Sequence, residues 1–413
     1  MKPLSTKTLR TLALYTQQLA VDNTGSKSPD EEAILNLINK IGALQIDTLS
    51  VVSRSHYLTL WSRIGQYSME VLDTLVYNEK KRKLFEYWFH GASIIPLKYY
   101  RYSLTKKRTY RENGDKWNSA WLQKPENIEL MKSVLKKINE NGSLSSADLQ
   151  GDGISRGSWW DWKPAKSALQ QLYNRGDIMV SNRKSFKKIY QITDKVLPKT
   201  VNTKEASWDE MMTFKCELSL KALGICKPQQ IADYTHTKRS EIKKYIEKLI
   251  KQGHFLKVQG EFIDGSIHDL LIHRSNLKIL KKITDGELSA NKTTLLNPFD
   301  NLFWPRDRDK EIWGFEQVLE AYKPEEKRKW GYYCLAILYH DQLIGRIEPK
   351  LDRSSNTMII KSVFLEDGVK ITDKMLNSVS DCIKRFSSFH NAKTIRFESN
   401  GTKKFIAALR PYF

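Results

Sequence analysis

The sequence predicts an α+β protein in which tandem winged-helix segments precede a β-rich C-terminal domain. Three observations carry this expectation. Pro164 opens a helical stripe of Ala165, Ala168, Leu169, Leu172 and Tyr173, closed by Gly176 and followed by two short β-like runs. Seventy-seven residues later the pattern returns as Ile242, Tyr245, Ile246, Leu249 and Ile250, closed by Gly253 and again followed by two such runs. Past Leu296 the texture changes to β-rich stretches at residues 333–339, 343–347 and 358–364.

Taken in order, residues 4–20 space Leu9, Leu12, Ala13 and Leu19 as an amphipathic helix, and residues 25–29 read as a linker. Asp30 caps a second helix whose apolar stripe is Ala33, Ile34, Leu37, Ile38 and Ile41, and Gly42 ends it. Helices are expected over 55–64 and 69–78, then a strand over 83–90 that Gly91, Ala92 and Ser93 close. Residues 96–110 form a basic, Tyr-rich helix with Lys98, Arg101, Lys106, Lys107 and Arg108, suited either to phosphate contact or to a solvated charged face.

Pro125 opens a helix, residues 145–149 are expected as a short second helix, and the Pro164 helix is the third. Its two strands, 178–180 and 186–192, are joined by a basic turn over 182–185. The second copy draws its first helix from Met211, Phe214 and Leu218 and its second from residues 228–233. A helix over 370–389 and a strand at 394–397 complete the last domain. The expected division is 1–122 for the N-terminal helices and a first winged helix, 123–200 for a second, 201–290 for a third and 291–413 for the β-rich domain.

Charge narrows the partner. Lys and Arg number 68 against 47 Asp and Glu, a formal net charge of +21. A globular chain that basic faces a polyanion, nucleic acid first and an anionic membrane surface second. The longest apolar run, 332–339, falls far short of the roughly 20 residues a membrane span needs. The N-terminal stretch, with Arg10, Gln17 and Gln18, lacks the apolar core of a signal peptide. Cys216, Cys226, Cys334 and Cys382 are scattered and read as buried free thiols of a reducing compartment. No HExxH spacing and no Gly-rich phosphate loop is present, so no metal or nucleotide cofactor is expected. The expected location is the cytoplasm, in association with the nucleoid. A basic helix (Lys238, Arg239, Lys243, Lys244, Lys248, Lys251) and a basic wing (Arg183, Lys184, Lys187, Lys188) favour a DNA duplex over RNA.

One stretch, residues 43–63, differs from this apparatus. Gln45 and Asp47 stand two apart in an apolar run, so in extended backbone both take one face while Leu44, Ile46 and Thr48 take the other. A carboxylate and an amide sharing a face, with Arg54 and His56 following, suit holding and activating a water. The same alternation also describes an edge strand with a wet polar face. Residues 297–309 interleave aromatics with Arg306 and Arg308, which fits unpaired bases or phosphates and fits equally a structural loop. The Trp159, Trp160 and Trp162 cluster suits a base stack or a hydrophobic clasp at the Pro164 helix.

Several stretches together resemble the winged-helix DNA glycosylases of the YcaQ/AlkZ type, which excise alkylated purines and unhook interstrand crosslinks. They are residues 44–48 with Arg54, Ser55, His56 and 60–63; residues 85–93; residues 159–166 through 194–198; and residues 297–300, 313–315 and 330–333. The resemblance implies three winged helices around a DNA-sized channel with a β-rich C-terminal domain. It also implies that Gln45-Ile46-Asp47 is the Gln-apolar-Asp form of the catalytic motif, the form of the crosslink-repair YcaQ branch.

The expected catalytic residues are therefore Asp47, which stabilises an oxocarbenium-like sugar and deprotonates water, and Gln45, which orients that water. The expected DNA contacts are Arg54, His56, His90, Ser93, Lys184, Lys243, Arg306 and Arg308; for Arg54, His56 and His90, capping or core hydrogen bonding is the competing role. The expected partner is double-stranded DNA bearing alkylated or crosslinked purines, met by a monomer at a shallow, open site. The competing function is a non-catalytic winged-helix transcriptional regulator.

Overall fold

The computed structural model describes residues 2–22, 29–114, 119–149 and 162–413; Trp159 and Trp160 of the expected tryptophan cluster lie outside them. Compactness divides the chain into two units: Met1–Val71, Trp88–Ser93 and Met212–Phe413 form one, Leu72–Tyr87 and Ile94–Met211 the other.

In the larger unit, the helix Thr6–Thr16 starts where Ser5 accepts a hydrogen bond from the Thr8 N–H, and it buries Leu9, Leu12 and Ala13. Just before it, Leu4 pairs its backbone with Gln259 and Glu261, laying the chain against Gly260. A Cβ at Gly260 would sit 2.7 Å from the Leu270 side chain and 3.0 Å from that of Leu9, so any other residue there would have to displace these buried methyl groups. The helix Glu31–Ile41 is capped by Asp30, whose carboxylate accepts from the Ala33 N–H, and ends at Gly42 with φ of 87°. Both ends match the sequence reading.

The same unit contains one full repeat segment. Helices Trp208–Leu223, Pro228–Tyr234 and Arg239–Lys251 alternate with the short strand Ile225–Cys226 and the hairpin Phe255–Glu261 with Ile267–His273. The short strand pairs with the second hairpin strand, which pairs with the first. Ile242, Tyr245, Ile246 and Leu249 are buried along the helix Arg239–Lys251, while Lys243, Lys244, Lys248 and Lys251 are exposed. The same strand order joins Leu44–Gln45 to Gly91–Pro96 and then Leu84–Phe89. Gly91 thus begins a second strand where the sequence suggested only a closing turn.

The C-terminal sheet has five strands in the order Thr293–Leu296, Leu335–Tyr339, Gln342–Asp352, Thr357–Leu365, Thr394–Gly401. The first four are antiparallel; the last is parallel to its neighbour. A parallel pair needs a crossover, which the helix Asp373–Phe389 supplies while burying Val379, Cys382, Ile383 and Phe386. Thr293–Leu296 was not foreseen. This β-rich end completes the expected α+β class.

In the smaller unit, the helices Pro125–Asn141 and Trp162–Arg175 accompany the hairpin Ile178–Lys184 with Lys187–Ile192 and the short strand Leu144–Ser145, again in the same order. Residues 146–149 are turn rather than the expected helix. The cause is local: the Asp148 carboxylate accepts from both the Ser145 N–H (2.6 Å) and the Ser145 hydroxyl (2.8 Å), an alternative that competes with helix. The hairpin turn also lies later than expected, at Ser185 and Phe186, whose φ values of 47° and 67° suit a tight two-residue reversal. Arg183 consequently points into packing and is held by Glu86 through two bonds of 2.7 Å.

The basic helix Tyr100–Asn113 is likewise turned inward. Arg101 pairs with Glu210 and Arg108 with Glu205, and Lys107 is buried with its ammonium 4.1 Å from the Tyr100 ring centre and 4.8 Å from that of Tyr87. Burial lowers the Lys107 amine to about 7. All four cysteines are buried free thiols, each pushed up to about 12 by burial. Among the described residues no helix is long and apolar enough to cross a membrane.

Segments distant in sequence meet within the larger unit at a buried ion pair. Arg63 donates to both oxygens of Asp300, at 2.6 and 2.8 Å, with both side chains fully buried. Its other donors reach the Gln17 carbonyl, the Gln17 side chain, the Thr59 carbonyl and Ser62. Removing one partner strands a buried charge, which costs about 3–5 kcal/mol. Arg63→Met is therefore expected to lower the urea-unfolding stability by about that amount. Adding Asp300→Leu should recover part of the loss, and strictly additive single losses would show that the pair is not coupled.

Candidate active site

Leu44 is fully buried and Gln45 half-buried, Ile46 is buried and Asp47 half-buried, so burial alternates as far as Asp47; Thr48, expected on the face of Leu44 and Ile46, is exposed. Strand geometry itself stops at Gln45. The Ile46 N–H donates to the Ala92 carbonyl at 2.8 Å, and the Ser55 hydroxyl donates to the Gln45 carbonyl at 2.6 Å. Neighbouring backbone is therefore clamped on both sides. The Gln45 side chain lies over Gly91: a Cβ there, at φ of 73°, would meet the Gln45 Nε2 at 3.3 Å. Glycine at 91 thus answers both a left-handed turn and a close side chain.

At Asp47 the chain turns. One carboxylate oxygen accepts from the Leu49 N–H at 2.7 Å, the local turn that aspartate favours. Arg54 closes this loop by donating to the Thr48 carbonyl at 2.7 Å and the Asp47 carbonyl at 3.4 Å, and Arg353 donates to the Val52 carbonyl at 2.8 Å. Burial raises the Asp47 carboxyl above its ordinary range, although the Leu49 and Thr48 N–H groups and the Arg54 charge pull it down. A carboxylate short of solvation gains when positive charge or a transferable proton comes near. The Gln45 amide, also half-buried, stands two residues before it.

The support behind the motif is polar and buried. Asn297 donates to the Thr59 hydroxyl at 2.9 Å and accepts from the Phe299 N–H at 3.0 Å. Asn301 donates to the Ala43 carbonyl at 3.0 Å, and Tyr234 donates to the Ile41 carbonyl at 2.6 Å. Residues 297–301 therefore serve as the structural loop that was one of their two sequence readings.

The remaining expected contacts divide by exposure. Lys184, Lys243 and Arg306 lie exposed on the surface, and Arg54 is half-buried. Arg308 is only 1% exposed and donates to the Leu223 and Ile225 carbonyls, so its expected DNA contact is corrected to tying a helix end to a strand. Ser93 is fully buried, its hydroxyl directed to the His90 and Gly91 carbonyls, and His56 is buried in the first turn of the helix Ser55–Ile64. Both are corrected in the same sense, because a buried group has no face to offer a duplex.

His90 stacks on Trp304, with ring centres 4.4 Å apart and planes 2° from parallel, and on His236 at 5.2 Å and 25°. Its Nδ1 lies 3.0 Å from the Asp233 carbonyl. A carbonyl only accepts, so Nδ1 carries the proton. Burial, then the nearby His236, lowers the His90 imidazole to about 4, leaving it neutral at neutral pH.

Tyr333 was missed as a neighbour of the motif. It is 1% exposed, and its hydroxyl has no hydrogen-bond partner among the described residues. Burial and then the Asp47 charge push its phenol upward. Residues 330–333 figured in the family resemblance, but an approach across such sequence separation leaves no local signal.

A family model described as DNA glycosylase AlkZ-like matches residues 38–389, a span that includes both the Gln45–Asp47 motif and Tyr333. Among solved structures, the DNA glycosylase AlkZ of Streptomyces sahachiroi matches 96% of this chain and 99% of its own with a TM-score of 0.64. The identity is 14%, so this is a likeness of fold.

Because the folded Asp47 carboxyl is raised above the ordinary 3.8, folding works against its ionisation. That cost is absent below the unfolded value and fully present once the pH exceeds the folded one. Asp47→Asn, which can still accept from Leu49, is thus expected to melt above the native protein at pH 7, with the gap closing as the pH falls towards about 4. In a carboxyl NMR titration Arg54→Gln should raise Asp47 further. A native melting curve identical to that of Asp47→Asn at every pH would refute this account.

Proposed function

Because the chain belongs to the AlkZ-like DNA glycosylase family, we propose that it hydrolyses the N-glycosidic bond of N7-alkylated purines, including those that form interstrand crosslinks, with Asp47 and Gln45 as the catalytic pair. Family membership makes it a DNA glycosylase acting in repair; the lesion class and the residues are our reading. The observation that carries it is the half-buried Asp47 carboxylate, short of solvation and two residues from the half-buried Gln45 amide.

An N7-alkylated guanine already bears positive charge. When its bond from N9 to the sugar C1′ breaks, the bonding pair moves to the base, which leaves neutral without a general acid. The sugar becomes oxocarbenium-like, and Asp47 stabilises that charge. A water oriented by Gln45 then attacks C1′ and gives its proton to Asp47. No amine enters these steps, so the enzyme is proposed to be monofunctional. A crosslinked base is tethered to the opposite strand and cannot be extruded as a free base is. The proposed site therefore acts on the lesion within the duplex. Lys184, Lys243 and Arg306 are proposed as phosphate contacts, which position DNA without reading its sequence.

Base release from a duplex carrying N7-methylguanine tests the reading. Asp47→Asn is expected to lose roughly 3–5 kcal/mol of barrier lowering, on the order of 10²–10⁴ in single-turnover rate, while its DNA affinity stays near native. Gln45→Ala should lose less. Borohydride should trap no covalent adduct, and a duplex with an N7-linked crosslink should yield separated strands on a denaturing gel. Native-like release by Asp47→Asn would sink the assignment.

A further inference from the structure

We propose that His236 is a DNA-positioning residue whose outer ring face stacks on a nucleobase next to the lesion. The proposal rests on the reading of Asp47 and Gln45 as the hydrolytic centre, which fixes where the lesion must lie.

Three aromatic rings run outward from the core. Trp304 is buried, with its indole N–H donating to the Phe299 carbonyl; His90 is half-buried; His236 is exposed. The centre-to-centre distances of 4.4 and 5.2 Å put both neighbours within stacking range of His90. Trp304 is buried and His236 exposed, so the contacts run from the core outward through His90. His236 is the outer end of the stack, and its far face is a planar surface of the kind that bases stack on whatever their sequence.

The position suits the reaction. His90 directly precedes Gly91, over which the Gln45 amide lies, so the stack borders the motif. Asp233 organises its rim: its carbonyl faces the His90 Nδ1 at 3.0 Å, and its carboxylate binds the Arg239 guanidinium and the Arg306 N–H. Arg306 is exposed, so its charge flanks the aromatic face, while the Arg239 charge is matched by the Asp233 carboxylate. Conformation adds a further point. His236 adopts φ of 52° in the turn before the helix Arg239–Lys251, a left-handed region that glycine enters at less cost.

That conformation also makes the test clean, since glycine relieves the backbone while removing the ring. Binding is measured to a duplex with a tetrahydrofuran abasic site and to an undamaged duplex of the same sequence. His236→Gly should melt no lower than the native protein, yet bind the abasic duplex about 5- to 100-fold more weakly. The undamaged duplex should lose less, and His236→Phe, which keeps a stacking face, should remain within a few-fold of native. Native-like abasic binding by His236→Gly overturns the proposal. So does equal loss on both duplexes, or a His236→Phe as weak as His236→Gly. Binding needs no hydrolysis, so these outcomes stand apart from the release assay; absent base release in the native enzyme would count against the reading of Asp47 alone.

Discussion

The ion pair of Arg63 and Asp300 governs how the larger unit is put together. Two fully buried charges give up their hydration, and their attraction often does little more than offset that loss. Net stability is therefore a poor account of their presence. Their geometry is the better account. A planar guanidinium with its donors directed to Asp300, Gln17, Thr59 and Ser62 accepts few alternative arrangements, whereas an apolar contact tolerates many. The N-terminal helix, the helix that follows the Gln45–Asp47 motif and the loop at 297–301 are thereby fixed in one relation. Asn301 and Tyr234 extend that constraint to the carbonyls of Ala43 and Ile41, immediately before the motif.

The motif itself is organised in the opposite manner. Its backbone is held by Ala92, Ser55 and Arg54, while its two polar side chains keep exposed surface. Rigid main chain with reactive side groups left partly unsatisfied is what preorganised chemistry needs. The Tyr333 hydroxyl, in the same electrostatic neighbourhood, has no hydrogen-bond partner among the described residues. A core selected for stability alone would have paired or replaced such groups.

How much could be read from the chain depended on the range of the forces involved. Asp30, Gly42 and the alternation from Leu44 to Asp47 act over a few residues, and each was legible. So was the recurring helix and strand-pair pattern, because burying a stripe against a hairpin imposes its own period. Arg308 was misread because an arginine among aromatics looks like surface chemistry; only the distant carbonyls of Leu223 and Ile225 make it a core residue. Residues 145–149 were misread because the Asp148 side chain captures the backbone that a helix would have used. The strand Thr293–Leu296 escaped notice because it is fully buried, and burial on both faces removes the alternation that marks a half-exposed strand. The positions of Tyr333 and His236 depend on tertiary approach and carried no sequence signal.

The four cysteines have a practical corollary. Each thiol is sealed in the core and shifted to about 12, so at neutral pH almost none is present as the thiolate that attacks alkylating reagents. A cysteine introduced at an exposed position away from the proposed contacts, such as Glu326, would react alone. Fluorophores or spin labels could then be placed one at a time on the native background, without first building a cysteine-free variant, to follow the protein as it engages and leaves a duplex.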